Sequence, residues 1–388
     1  MPQKTVLIAF SEIGLRSPQI RRRYIRLLRE NLEDAVIMLN RKLANVVMTW
    51  DRIFLFVDNV DEVAKEVCRV PGVRFSAPAF YSDFQNLDKL VESIAKESLP
   101  YITNKRFKVE TKRRFKQLPK NSLEISAMIG EKVLELCKEK GVITEVDLNN
   151  PDVIINVEVD RRYFAFYFNR FDGFGGLPIG SQSELVSLFS GGVDSALSTW
   201  LMLNRGCETY PLFINITGTE KALKNALNMF RRIKRLVLYP HLKLIVLDAS
   251  KALQRIVEQV EKKHICIHCK RTMYRLATEI AKSLKAKGIV TGESIGQVAS
   301  QTLDNLQVLS EATDLPIFRP LVGFSKEFIH ELAARVGILE VPPEKIECPY
   351  VPPHPSTKAK LEQIKREEEK LNLEEIIESA LLTVKFYE

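Results

Sequence analysis

The stretch "LVSLFSGGVDSALSTWLM", residues 185–202, runs a short apolar segment into Ser190-Gly191-Gly192-Val193-Asp194-Ser195 and then into a helix-like pattern. Gly191 and Gly192 are expected to take positive φ and to let a ligand approach the backbone. The N–H groups of the loop and of the first helical turn then lack intrahelical partners. Together with the helix dipole they make an anion site. Ser190 and Ser195 add hydroxyl donors. No Gly-Lys-[Ser/Thr] follows, so the loop is not a Walker A motif, and the dinucleotide pattern G-x-G-x-x-G is absent as well. Asp194 beside an anion has two readings: a first-turn carboxylate serving the helix dipole, or a carboxylate that holds Mg²⁺ together with substrate phosphates.

Working outward, "ELVSLFS", "YPLFINI", "LKLIVLD" and "GIVTGE" are short apolar runs separated by helix-length segments. Buried parallel strands have this form. Residues 182–388 are therefore expected to form a doubly wound, mostly parallel sheet with its ligand at the carboxyl ends of the strands. Upstream, "GFGGLPIGS" (173–181) is uncharged and rich in Gly and Pro, and reads as a linker. Residues 1–80 follow the order β-α-β-β-α-β of a ferredoxin-like α+β domain, its first helix starting after Ser17 with Pro18 at the first position. Residues 81–172 give a second α/β unit: a helix over "NLDKLVESIAKES", a strand at "RFKVETKR", a helix closed by Gly141, and a hairpin made of "PDVIINVEVD" and "YFAFYF".

Charge is clustered in these first two units. "RSPQIRRRYIR" (16–26) carries five Arg and no acid, and "NKRFKVETKRRFKQLPK" (104–120) carries eight Lys or Arg against Glu110. Each cluster alone reads equally as a solvated face. Two of them, interleaved with Tyr24, Phe107 and Phe115, favour a phosphate-backbone footprint. Its candidates are Arg21, Arg22, Arg23, Lys105, Arg106, Lys108, Lys112, Arg113, Arg114 and Lys116. The whole chain, 388 residues with net charge +8, is 45% hydrophobic and 27% charged, as soluble globular proteins are. No apolar run approaches the roughly 18 residues that cross a bilayer. The opening "MPQKTVLIAF" reads as a strand rather than a signal peptide, so a cytoplasmic location is expected.

"SGGVDS" resembles the PP-loop of the ATP pyrophosphatases, which cleave ATP between the α- and β-phosphates. "VTGESIGQVASQTLDNL" (290–306), "IFRPLVGFSK" (317–326), "SEIGLRSPQIRRRY" (11–24) and the region from "RFKVETKRR" to "FGGLPIG" narrow the likeness. In this order they resemble the tRNA 4-thiouridine synthetase family over nearly the whole chain, with the second unit similar to its THUMP RNA-binding domain. The resemblance implies ATP and Mg²⁺ as cofactors and tRNA as partner. It implies adenylation of the uridine at position 8 and a homodimer, and a link to thiamine synthesis is known in the family. It also implies site residues. Lys326 matches an essential lysine, and Lys270, Arg271, Gly292 and Gln301 match nucleotide contacts. Leu188, Phe189 and Ile214 lie at strand ends where adenine would pack. Two rivals stand beside this reading. One is an amide-forming PP-loop ligase, the other a non-catalytic RNA-binding module.

"HICIHCK" contains Cys266-x-x-Cys269, a weak signal by itself. Cys348 in "KIECPYVPP" matches the family's catalytic cysteine. The rhodanese domain that many bacterial members append has no counterpart in the 388 residues, which puts a persulfide relay in doubt. Three devices stay open for Cys266, Cys269 and Cys348: an iron–sulfur cluster with one open iron, a catalytic thiol or disulfide pair, and a zinc site completed by His264 or His268. The sulfur donor, sulfide or persulfide, is not readable. Cys68, Cys137 and Cys207 read as packing residues.

Overall fold

The computed structural model describes residues 2–10, 12–340 and 348–388. The first residue of the motif at 11–24 and residues 345–347 before Cys348 lie outside them. The chain divides into two compact units, one built mainly from residues up to Gly175 and one mainly from Gly176 to Glu388.

The first unit holds β1 (Gln3–Ala9), α1 (Pro18–Met38), β2 (Leu43–Met48), β3 (Arg52–Val57), α2 (Val60–Val67), β4 (Phe75–Asp83), α3 (Leu87–Ile102) and β5 (Lys105–Arg113). It continues with α4 (Ser122–Lys140), β6 (Thr144–Val146), β7 (Val153–Val159), β8 (Tyr163–Tyr167) and β9 (Phe171–Asp172). Its nine strands form one sheet in the order β2-β3-β1-β4-β8-β7-β5-β6, with β9 beside β4. β1 to β4 make the expected ferredoxin-like part. β4 then pairs with β8 on its other edge, from Ala79↔Tyr167 to Asp83↔Tyr163, so the hydrogen-bonded ladder runs on past residue 80. β5 is parallel to both β6 and β7. Phe107 from β5 packs with Ile94 of α3 and Ile129 and Val133 of α4 into one core. Helix starts are set locally. Asn59, Asn86 and Asn121 cap α2, α3 and α4 through their side chains, and Asn121 with Glu124 forms a capping box. Ser17 does stand before α1, yet its side chain makes no capping hydrogen bond.

The second unit contains β10 (Leu185–Leu188), α5 (Val193–Asn204), β11 (Thr209–Asn215), α6 (Glu220–Val237), β12 (Leu244–Asp248), α7 (Ser250–Gln259) and α8 (Ile265–Ser283). After these come β13 (Ile289–Val290), α9 (Leu303–Ser310), β14 (Ile317–Phe318), α10 (Lys326–Arg335), α11 (Leu361–Glu368), α12 (Leu373–Leu381) and β15 (Lys385–Tyr387). The strand order is β14-β13-β10-β11-β12-β15. β10 to β14 are mutually parallel and β15 closes the edge antiparallel. Residues of α5, α6 and α10 bury one face, including Trp200, Phe230 and Ile329. Residues of α7, α8 and α12 bury the other, including Ile256, Leu276 and Ile376. This is the doubly wound α/β sheet read from the apolar runs. The chain leaves β10 toward β11 and β12, then returns to the other side for β13 and β14. The switch point of the sheet therefore lies at the carboxyl end of β10.

Candidate nucleotide and thiol site

β10 feeds the glycine loop directly into α5. Gly191 has φ +77, and a Cβ there would lie 2.9 Å from Ala226 Cα and 3.0 Å from Ala226 N, so both backbone angle and space require glycine. Gly192 differs from the expectation. Its φ of −84 and ψ of 164 are ordinary extended values, and it is the N-cap residue of α5. The two serines bind the loop to itself rather than facing outward alone. The Ser190 N–H donates to Ser195 Oγ (3.1 Å), the Gly192 N–H to Ser190 Oγ (3.3 Å), and the Ser195 hydroxyl to the Gly192 carbonyl (3.0 Å). Val193 points into the apolar core.

Asp194 stands in the first turn of α5 and Lys326 at the start of α10, whose N-cap Ser325 accepts from the Phe328 N–H. Lys326 Nζ donates to both carboxylate oxygens of Asp194, at 2.7 and 2.9 Å, while nearly half of its side chain stays exposed (46%). Gly292, in the turn after β13, touches the same place. A Cβ on it would lie 2.8 Å from the Asp194 carbonyl carbon and from the Ser195 nitrogen. Its lack of a side chain thus lets this turn pack against the backbone of the first turn of α5.

Beside the loop opens a cleft. Leu188, Phe189, Ile214 and Met273 give it apolar walls, Ser190, Asn215 and Thr217 give it polar groups, and Cys348 completes one side. An apolar slot with few polar groups beside an anion-binding helix start suits a nucleoside whose phosphates reach the loop.

All six cysteines are free thiols. Burial raises the Cys266 and Cys269 thiols, Cys269 to about 12. Cys348 raises both further, Cys266 adds to Cys269, and Lys270 pulls the other way. The three sulfurs therefore share one electrostatic neighbourhood. The histidines proposed as a fourth ligand are otherwise engaged. His264 Nδ1 lies 2.8 Å from Glu367 Oε1 and His268 Nε2 lies 2.9 Å from Oε2, all three side chains buried. Glu261, His264 and Glu367 do bring donor atoms within 4.8 Å of one another. Glu367 already serves two imidazoles, however, and Glu261 accepts from Lys263 and Gln363, which makes the group a closed clasp between α11 and α8.

Arg271 lies away from the cleft. It is 1% exposed, and its guanidinium donates to both oxygens of Glu368 (2.7 and 3.0 Å) and to the Val308 carbonyl. Its donors are committed to the interior, so a nucleotide contact is not visible for it. Lys270 instead reaches Glu293 Oε1 at 3.3 Å. Gln301 is almost buried and its Oε1 has no partner among the described residues, an acceptor left over for a ligand. Glu293 was not singled out from the sequence. It is 5% exposed and also accepts from Tyr274 (2.7 Å), Thr291 (3.1 Å) and Arg319 (2.9 Å).

In the first unit the basic residues divide by partner. Arg106 pairs with Asp147 and Asp152, and Lys108 with Glu110. Arg114 pairs with Asp51 and with the buried Glu158. Arg113 turns its guanidinium to the carbonyls of Lys116, Leu118 and Lys120 and so shapes the loop after β5. Arg21 lies 4.3 Å over the Trp50 ring and donates to the Trp50 carbonyl. Arg22, Arg23, Lys105, Lys112 and Lys116 are exposed.

Comparison with known proteins places these features. A family model described as Thiamine biosynthesis protein (ThiI) matches residues 180–373, a THUMP domain model matches 81–168, and a ThiI ferredoxin-like domain model matches 5–76. A probable tRNA sulfurtransferase of Methanocaldococcus jannaschii is 34% identical, over 95% of this chain and 97% of that protein. The chain belongs to the tRNA sulfurtransferase family. A second family member, from Thermococcus kodakarensis, is 33% identical over 93% of this chain and 95% of its own length. Among solved structures, the crystal structure of a 4-thiouridine synthetase–RNA complex with bound ATP is similar over 99% of both chains, with TM-score 0.84 and 29% identity. No helix among the described residues is long and apolar enough to cross a membrane.

Proposed function

We propose that this chain is an ATP-dependent tRNA sulfurtransferase that adenylates the uridine at position 8 of tRNA and replaces its O4 with sulfur, giving 4-thiouridine. One observation carries the reading: the Asp194–Lys326 pair at the start of α5 beside an apolar cleft with a cysteine in its wall. The similarity to an RNA- and ATP-bound 4-thiouridine synthetase supports it. The chemistry follows from a poor leaving group. The uracil O4 attacks the α-phosphate, and the P–O bond to the β-phosphate breaks with its electron pair leaving on pyrophosphate. A sulfur nucleophile then adds at C4 and AMP departs with the former O4.

Leu188, Phe189 and Ile214 would hold the adenine, while Ser190, Gly191, Gly192, Val193 and Ser195 would present the loop amides to the phosphates. Lys326 is the cation for charge that builds up during transfer. Asp194 would hold Mg²⁺, which would add charge neutralisation on the phosphates. Gly292 keeps the loop and turn in contact, and Lys270 and Gln301 would contact the nucleotide. Cys266, Cys269 and Cys348 have the soft donors for an iron–sulfur cluster, which would supply an open iron for sulfide. Without a cluster, Cys348 in the cleft wall would carry the sulfur. The domains at 1–80 and 81–172 would grip tRNA through backbone and shape, with Arg22, Arg23, Lys105, Lys112 and Lys116 foremost, and the domain at 182–388 would do the chemistry. A cytoplasmic homodimer is the assembly we expect. Sulfur transfer for thiamine synthesis is a second reading, since the matched family description names thiamine biosynthesis.

The test is release of pyrophosphate from ATP by the purified protein with and without unmodified tRNA, alongside near-ultraviolet absorbance of the thiolated base. Release that needs tRNA and no amine supports the proposal. Release driven by a carboxylate and an amine would point to a ligase.

A further inference from the structure

A buried carboxylate with four donors around it is more than a strut. Glu293 follows Gly292 in the turn after β13, the strand beside β10. Its Oε2 accepts from Tyr274, Thr291 and the Arg319 Nε, and its Oε1 from Lys270 Nζ. Two cations face one anion, which leaves one unit of positive charge uncompensated in this group. The residue next to it packs on the backbone of Asp194 and Ser195. Lys270 sits one turn before Met273 on α8, and Met273 lines the cleft. So Glu293 holds a cation one turn from a residue that lines the cleft, and the residue before it packs on the first turn of α5.

We propose that Glu293 is a positioning residue for nucleotide binding, holding Lys270 in place so that the surplus positive charge meets the phosphates. This rests on the reading of Lys270 as a nucleotide contact. Burial would favour the neutral form of Glu293, but Lys270, the Tyr274 hydroxyl and Arg319 overcome it and hold the carboxyl below its ordinary range. The anion is therefore present wherever the enzyme works. Arg319 is fixed a second time by Ser310 Oγ at 2.9 Å, whereas Glu293 is the one partner of the Lys270 ammonium among the described residues. Loss of the charge should free Lys270 first. Glutamine keeps the volume and one acceptor for Tyr274, Thr291 and Arg319, and puts an uncharged NH₂ where Oε1 now accepts from Lys270.

The experiment is a double-mutant cycle on ATP affinity, with thermal melting as the check of folding. Glu293→Gln and Lys270→Ala are each expected to weaken ATP on the order of tenfold, as residues in contact do. The double variant should be no weaker than the worse single. Tyr274→Phe, which removes a hydrogen bond to the same carboxylate but no charge, should stay within about twofold. If Glu293→Gln does not fold, Glu293→Asp, which withdraws the charge by one methylene, carries the same cycle. Additive losses, or Tyr274→Phe as damaging as Glu293→Gln, would overturn the inference while leaving Lys270 in its role. Lys270→Ala with unchanged ATP affinity would overturn that role and the inference together.

Discussion

Gly191→Ala tests whether the backbone geometry of the glycine loop governs the site. At φ +77 an alanine sits in the left-handed region, at about 1–2 kcal/mol. Its methyl would also press on Ala226 Cα at 2.9 Å and Ala226 N at 3.0 Å, which are backbone atoms of α6 and cannot rotate away. Overpacking of this kind adds roughly 1–3 kcal/mol. The sum, about 2–5 kcal/mol, corresponds to a Tm loss of about 4–20 °C at roughly 2–4 °C per kcal/mol, or else the loop moves and relieves the strain. Gly192→Ala is the internal control. Its φ is ordinary and its nearest neighbour is the movable Ser190 Oγ at 3.3 Å, so only the N-cap preference is lost, at most about 1 kcal/mol. The assay is a thermal melt with and without ATP, plus equilibrium ATP binding. Gly191→Ala should melt early or bind ATP at least tenfold more weakly than Gly192→Ala. If the two variants melt together and bind alike, the geometry of the loop does not govern the site.

Three further outcomes follow from particular side chains. Asp194→Ala should abolish thiolation while leaving tRNA binding within a few-fold, and full activity in that variant would remove the carboxylate from the reaction. Glu368 is held down to about 2 although burial would raise it, because hydrogen bonds and charge from Arg271 and Arg275 prevail. Its folded value lies below the ordinary 4.5, so this stabilisation is complete above about pH 4.5 and fades as pH falls toward about 2. Acid melts of Glu368→Gln should lack that part of the curve and start about 3–5 kcal/mol less stable, since the Arg271 charge is left buried without its carboxylate; a melt curve that overlays that of the unmodified protein would show that the pair contributes nothing. Changing Lys105, Lys112 and Lys116 to Ala should flatten the salt dependence of tRNA binding by up to about 0.9 for each phosphate no longer neutralised, whereas Arg114→Ala should change stability more than slope. An unaltered slope in the triple variant would put the RNA elsewhere.

The central loop was legible because an apolar strand, two glycines and a helix are contiguous in the chain. The sheet around it was legible where its strands stand out as apolar runs, from β10 to β13. β14 and β15 have two or three residues each, too few to show a period. What stayed hidden depends on partners far away in sequence. Arg271 looks like its neighbour Lys270 on paper, yet its carboxylate is 97 residues downstream and draws it inside. His264 and His268 likewise face Glu367 rather than the thiols next to them. In the basic cluster, Arg106 and Arg114 meet Asp147, Asp152, Asp51 and Glu158 only after folding, pairings within the chain that the local sequence does not announce. The ladder from β4 to β8 joins segments far apart in the chain, with Ala79 opposite Tyr167, and no local pattern announces it.

The most direct test follows the uracil oxygen. With tRNA labelled by a heavy isotope at O4 of uridine 8, turnover with unlabelled ATP should place the label in AMP, and none in pyrophosphate or water. Label found in water, or thiolation that proceeds with AMP unlabelled, would contradict activation of the base by adenylation.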